Sequence, residues 1–423
     1  MLERYYVRPD TIDRIRSSWI AGPVDQYVAW LAEQKYSCRS VSRRIPLLVK
    51  FGEFARAHGA DSLESLPPQV EPFIEAWVAK RVSGPKSPKQ IKLICKEVRG
   101  PIQQMLRLAL PGYVGGGRKK IPENPFEQFA PGFFLYLRQE RGLREATVYA
   151  YSYYLRQFSS YLHSIHFDDL RYLSPPILSG FASDLSLRVR WASVRDACGV
   201  LRVFLRYLYR ERVVIQDYSC VVEHPPTYRL SNIPRSITWE EVRRMLDAVD
   251  QRTPRGKRDY AILLLLITYG LRAREVAALT LDDIDWHNDR LRIPERKAGH
   301  STAYPLSSIV GQAILDYLKL VRPQTTDRHV FFRTMAPQAP ITYHAVSASA
   351  SHYLRRAGVI VSRAGSHTLR HTCVQRLVDA DFSFKVIGDY VGHRAPASTQ
   401  IYTKVAIEAL REVACGDGEE VLR

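Results

Sequence analysis

At 423 residues, with 46% apolar content, the chain is long enough for two or three globular domains with real cores. Sixty-one Lys and Arg against 43 Asp and Glu leave a net charge of +18, which draws a polyanion, nucleic acid first among them. The six cysteines show no Cys-x-x-Cys spacing, which argues against a disulfide framework or a zinc site and for free thiols in a reducing compartment.

The N-terminus, MLERYYVRPDTIDR, has no apolar signal core, and the run Ala261–Ile267 is too short to span a bilayer. A soluble cytoplasmic protein is expected. Residues 1–110 read as helical. VDQYVAWLAEQ (24–34) and SVSRRIPLLVKFGEFARAHG (40–59) both repeat apolar residues at helical spacing, and the second stops at a glycine. Pro46 predicts a helix start or a bend. The pattern returns 107 residues later: Val41, Leu48, Phe51, Phe54 and Leu63 match Val148, Leu155, Phe158, Tyr161 and Leu170. One residue further out of step, Pro67, Pro68 and Phe73 match Pro175, Pro176 and Phe181. An internal duplication of a small helical unit is expected, against the alternative that two amphipathic stretches coincide.

Residues 111–124 form a linker rich in Gly and Pro, with Arg118, Lys119 and Lys120 placed to touch phosphate or solvent. Residues 125–222 form the second helical unit, studded with arginines; Arg144, Arg195 and Arg202 are candidate phosphate contacts. A Pro-rich linker, 223–236, leads to a last domain, 237–412, and a tail, 413–423. That domain opens with a capping-box pattern, Thr238-Trp-Glu-Glu241. RDYAILLLLITYG (258–270) is a buried helix, REVAALTLDDIDW (274–286) the next helix and its exit, and 290–307 a β-hairpin. Helices are expected at 308–320, 343–357, 367–379 and 383–391. The fold class is mainly α with a small β-hairpin or sheet (α+β).

Two clusters carry the chemistry. Arg272 follows Tyr269-Gly270-Leu271, and residues 366–404 hold His367-x-x-Arg370, Gly392-His393 and Tyr402. Guanidinium groups oppose charge on a phosphate with fixed donors and never deprotonate. An imidazole can take a proton, and a phenol oxygen can attack phosphorus.

With Lys297 on the hairpin, this ordered set resembles the tyrosine recombinases of the phage-integrase family over roughly 235–412, in a larger mobile-element form with an extra N-terminal domain. The resemblance implies a site-specific recombinase, integrase or transposase that cuts and rejoins DNA through a 3′-phosphotyrosine. Arg272 and Arg370 would hold the phosphate, with Glu275 supporting Arg272, although the Arg272–Glu275 pair could also be structural. Tyr402 would be the nucleophile, His367 the proton acceptor, His393 a phosphate donor and Lys297 the general acid. The family hairpin often reads Gly-Lys-Gly, whereas this one reads Glu-Arg-Lys-Ala-Gly, so Arg296 rivals Lys297. Arg274 and Arg394 are candidate DNA contacts, and His371 is a neighbour that contacts DNA or packs.

By the same resemblance, 125–222 would be the core-binding (SAM-like) domain and 1–110 an added DNA-binding or oligomerisation domain. The C-terminal piece VAIEALREV would be a contact to a neighbouring protomer. The partners implied are double-stranded DNA with inverted-repeat sites, further copies of the chain up to a tetramer on two sites, and accessory recombinases. On DNA the protein would be nucleoid-associated. Neither a metal nor any other cofactor is implied. The alternatives are a type IB topoisomerase and a non-catalytic DNA-binding regulator.

Overall fold

The computed structural model describes residues 1–81, 87–115, 124–223, 236–294 and 301–392. They are mostly helical, with one small sheet. None of the described helices is long and apolar enough to cross a membrane. The chain separates into two compact units, Val114–Ser231 and the remainder, and carries three large hydrophobic cores.

The first core is built by α1 (Pro9–Arg16), α2 (Ala21–Glu33), α3 (Cys38–Ala57), α4 (Val70–Arg81) and α5 (Pro88–Ala109). Helix α3 starts at a Ser37 cap, whose Oγ accepts from the Ser40 amide, and runs through Pro46. A proline has no N–H for the carbonyl four residues back. Here that carbonyl belongs to Ser42, and the Tyr6 hydroxyl donates to it at 3.2 Å. The helix therefore starts eight residues before the proline rather than at it.

The second core holds α6 (Phe133–Gln139), α7 (Glu145–Ser164), α8 (Pro175–Arg188) and α9 (Trp191–Arg210). The apolar run 133–162 is two helices, because Gly142 takes φ +59 between them and turns the chain. Helices α3 and α7 have equal length and lie 107 residues apart. Their buried positions coincide: Val41 with Val148, Leu48 with Leu155, Phe51 with Phe158. The agreement extends to α2 and α6, where Tyr27, Val28 and Leu31 correspond to Phe133, Phe134 and Leu137. In α5 and α9, Val98, Ile102 and Met105 correspond to Leu201, Leu205 and Leu208. Even the left-handed residues recur, Lys35 (φ +56) against Gly142 and Gly59 (φ +86) against His166 (φ +53).

The third core follows α10 (Trp239–Asp247), whose Thr238 and Glu241 form a reciprocal capping box. Helix α11 (Pro254–Thr268) is buried nearly all round, as its apolar run requires. Helix α12 (Ala273–Ala278) takes up the first part of the span read as a helix and its exit, and the chain leaves it for β1 (Ile284–Asp285), a strand too short to show alternation. Strands β2 (Arg290–Ile293) and β3 (Thr302–Pro305) form the expected hairpin, with β1 on the outer edge of β2. Leu291, Ile293 and Tyr304 point to the core, the period-two signature of a half-buried strand. Helices α13 (Ser308–Leu320), α14 (Tyr343–Arg356), α15 (Ser366–Asp379) and α16 (Phe384–Val391) complete it.

Candidate active site

Three segments converge. The first is the turn after α11. Gly270 has φ +60, and a Cβ there would sit 3.1 Å from Val391 Cγ1 and 3.2 Å from Cys373 Sγ. Both the backbone conformation and the space demand glycine. This turn delivers Arg272 as the residue capping α12. Its amide donates to one Glu275 carboxylate oxygen and its Nη1 to the other, each at 2.8 Å. The Glu275 side chain is only 9% exposed, so the pair holds the guanidinium by a nearly dry carboxylate.

The second segment is the first turn of α15. Arg370 is 6% exposed and donates to the Gly270 carbonyl at 2.5 Å and to the Val391 carbonyl at 2.6 Å. The third is the end of α16, closed by Gly392 in the left-handed conformation. Arg272 Nη2 donates to the Gly392 carbonyl at 2.9 Å. The two guanidinium groups thus grip consecutive carbonyls, Val391 and Gly392, at one helix end. Orphan carbonyls at a helix C-terminus carry partial negative charge, so two cations there are stabilised.

His367 lies one turn before Arg370 on α15 and keeps more than a third of its surface exposed. Lost hydration, then the positive charges of Arg370 and Arg272, hold its imidazole below its ordinary pKa of 6.5. It is therefore neutral at pH 7, as an imidazole must be to take up a proton. One turn after Arg370 on the same helix, burial pushes the Cys373 thiol up to about 12, so this cysteine stays protonated and donates weakly to the Thr268 carbonyl.

A tyrosine mesh ties the hairpin to the same helix end. The Tyr304 hydroxyl of β3 donates to the Tyr390 carbonyl of α16, the Tyr390 hydroxyl to the Thr268 carbonyl, and the Tyr269 hydroxyl to the Pro305 carbonyl. Their rings pack at centroid distances of 5.0–5.1 Å. Sequence reasoning missed Tyr304 and Tyr390. Tyrosines flanking a motif on three elements were the available signal.

Of the sequence-predicted site residues, the described structure brings together Arg272, Glu275, His367 and Arg370. Lys297, Arg296, His393, Arg394, Tyr402 and the basic trio Arg118–Lys120 lie outside the described residues. Arg274 is exposed and stacks over the Tyr343 ring at 4.5 Å. Arg144 is exposed at the start of α7, and Arg195 pairs with Asp196 at 3.2 Å. Arg202 sends two N–H groups to the Val222 carbonyl, a structural tie.

One expected result follows from the turn. Gly270→Ala should lower stability by about 1–3 kcal/mol, the cost of a left-handed non-glycine residue, before any clash is counted. Thermal denaturation would show it, and an unchanged melting curve would contradict the packing described.

The model of the phage integrase family matches residues 235–408, and that of the phage integrase N-terminal SAM-like domain matches residues 131–212. Two Sinorhizobium fredii proteins named as integrase/recombinases are similar. One, y4gC, is 40% identical over 171 residues, covering 40% of this chain and 88% of that protein. The other, y4rA, is 28% identical over 415 residues, covering 97% and 98%. Among solved structures, the XerH site-specific recombinase bound to palindromic difH substrate is similar in fold, with a TM-score of 0.55 at 15% identity over 84% of this chain and 96% of that one.

Proposed function

Because this chain belongs to the phage integrase family and is a tyrosine site-specific recombinase, we propose that it cleaves double-stranded DNA with Tyr402 at a phosphate held by Arg272 and Arg370. The observation that carries this reading is the grip of both guanidinium groups on the adjacent carbonyls of Val391 and Gly392, one residue before His393. That fixes two bidentate cations at one point, next to a neutral imidazole.

The Tyr402 oxygen attacks phosphorus and its proton passes to His367. The bond to the 5′-oxygen breaks, and Lys297, with Arg296 as the alternative, protonates that leaving group. Charge building on the non-bridging oxygens is met by Arg272, Arg370 and His393. Donors set in advance for such charge typically contribute about 2.7–4 kcal/mol each to the transition state. The phosphotyrosine keeps the bond energy, so a 5′-hydroxyl from a partner strand reverses the step without any energy-supplying cofactor. Glu275 holds Arg272 in position.

The helical unit 125–222 acts as core-binding domain and 237–412 as catalytic domain, with Arg144, Arg195 and Arg274 as candidate phosphate contacts. Lambda integrase crystallises as a dimer bound to a core site and as a tetramer bound to a Holliday junction. Assembly of four copies on two inverted-repeat sites, with or without accessory recombinases, is the corresponding reading for this chain.

The test is a duplex carrying the inverted repeats that flank the gene, nicked just beyond the cut point so that the released end diffuses away. The protein should accumulate as a covalent adduct. Specific binding without any adduct would replace this reading with that of a regulator.

The pH dependence has a definite sign. His367 must be neutral to accept a proton, and its pKa lies below 6.5 in the DNA-free protein. The second-order rate of adduct formation, which reports groups of the free protein, should be flat around neutrality and fall as pH drops through that lowered value. His367→Gln should remove the acid limb along with most of the rate. An acid limb that persists unchanged in the variant would assign the titration elsewhere.

A further inference from the structure

We propose that the first helical unit, α2 to α5, is a second copy of the SAM-like unit, and that a basic groove between its α3 and α5 binds the phosphate backbone of duplex DNA. The family model for the SAM-like domain matches residues 131–212, which hold the α6–α9 copy. The two copies share helix order and buried positions, and their α3 and α7 are equal in length. What they do not share is informative.

The groove is open on one side and has a volume of about 830 Å³. Arg43, Arg44, Lys50 and Lys96 line it against a single acid, Glu97, with Trp77 on its wall. Arg44 is spoken for: its guanidinium donates to the Tyr27 hydroxyl and to Gln104, each at 2.8 Å. Arg43, Lys50 and Lys96 are exposed, and none pairs with a carboxylate among the described residues. Lys50 instead lies 5.8 Å over the Trp77 ring, which steers its ammonium along the groove. Elsewhere on this unit Arg99 is paired with Glu71, so the lack of acids is a property of the groove.

In the second copy the positions of Arg43, Lys50 and Lys96 are taken by Ala150, Gln157 and Gly199. The fold therefore does not need these cations, because its twin dispenses with all three. A row of unpaired cations with one aromatic wall suits a polyanionic backbone. Duplex DNA is the polyanion this chain already handles, and in that respect the inference rests on the recombinase reading.

The experiment compares the full chain with the triple variant R43Q/K50Q/K96Q on a mixed-sequence duplex over a series of salt concentrations. Removing one phosphate contact should flatten the slope of log affinity against log salt by about 0.9. Adduct formation at saturating DNA should be unchanged, since none of these residues belongs to the catalytic set. Lys96→Gln alone should give a single cation's share of the shift, which keeps the test valid if the triple variant folds poorly. An unaltered slope in both variants overturns the proposal. So does loss of self-association at constant slope, which would assign the groove to a second copy of the chain. If no adduct ever forms with the wild-type protein, the recombinase reading fails while the slope comparison still decides the groove.

Discussion

Arg370→Lys should reduce the rate of covalent adduct formation by about 10²–10³-fold while leaving DNA binding within a small factor of wild type. The guanidinium is 6% exposed and spans two carbonyls, Gly270 and Val391, from different elements. A lysine ammonium is a compact point charge. It cannot bridge both carbonyls and still present a planar pair of donors to a phosphate. Substitution to alanine would add a structural penalty, since each buried carbonyl left without a donor costs about 1–3 kcal/mol. The lysine variant is therefore the cleaner probe. It should bind the duplex, melt somewhat below wild type, and fail at the chemical step. Single-turnover adduct assays at saturating DNA separate these effects, and a rate within threefold of wild type would remove Arg370 from the proposed machinery.

The larger effect is expected at Tyr402. Tyr402→Phe deletes one oxygen and leaves ring, charge and neighbours alone. An unperturbed phenol has a pKa of about 10, so reactivity depends on the positive field and on a nearby acceptor. Both belong to the described site, in Arg272, Arg370 and His367. The variant should bind DNA and assemble as wild type does, yet form no adduct at any pH. Residual adduct would mean that another of the chain's 24 tyrosines, or a residue of another type, is the nucleophile.

Much of this site was legible from residue order alone. Arg272, His367 and Arg370 stand in a pattern of spacings that random packing rarely produces, and the structure does bring the two arginines to one helix end, with their charges acting on His367. The helical repeat was legible for a different reason: Val41, Leu48 and Phe51 return as Val148, Leu155 and Phe158 because the same buried face must be filled twice. Other features had no side-chain signature. The acceptors that fix the two arginines are main-chain carbonyls, which any residue supplies. Strand β1 is two residues long, too short for a period. Arg202 looked like its neighbours on α9, and only the approach of Val222 shows that it is tied down. Pro46 offered a helix start or a bend; the start is excluded because α3 begins at Cys38, and the donor that meets the Ser42 carbonyl comes from Tyr6, far away in sequence.

The most direct test of the account replaces the scissile phosphate by a methylphosphonate, which removes one negative charge from the group that the two arginines are proposed to share. Adduct formation by wild type, Arg272→Ala and Arg370→Ala would be measured on both substrates. If the guanidinium groups act on that phosphate, the defect of each variant should shrink markedly on the neutral substrate. Defects of equal size on the two substrates would show that the arginines only hold the helix end together, and would contradict the shared grip on phosphorus.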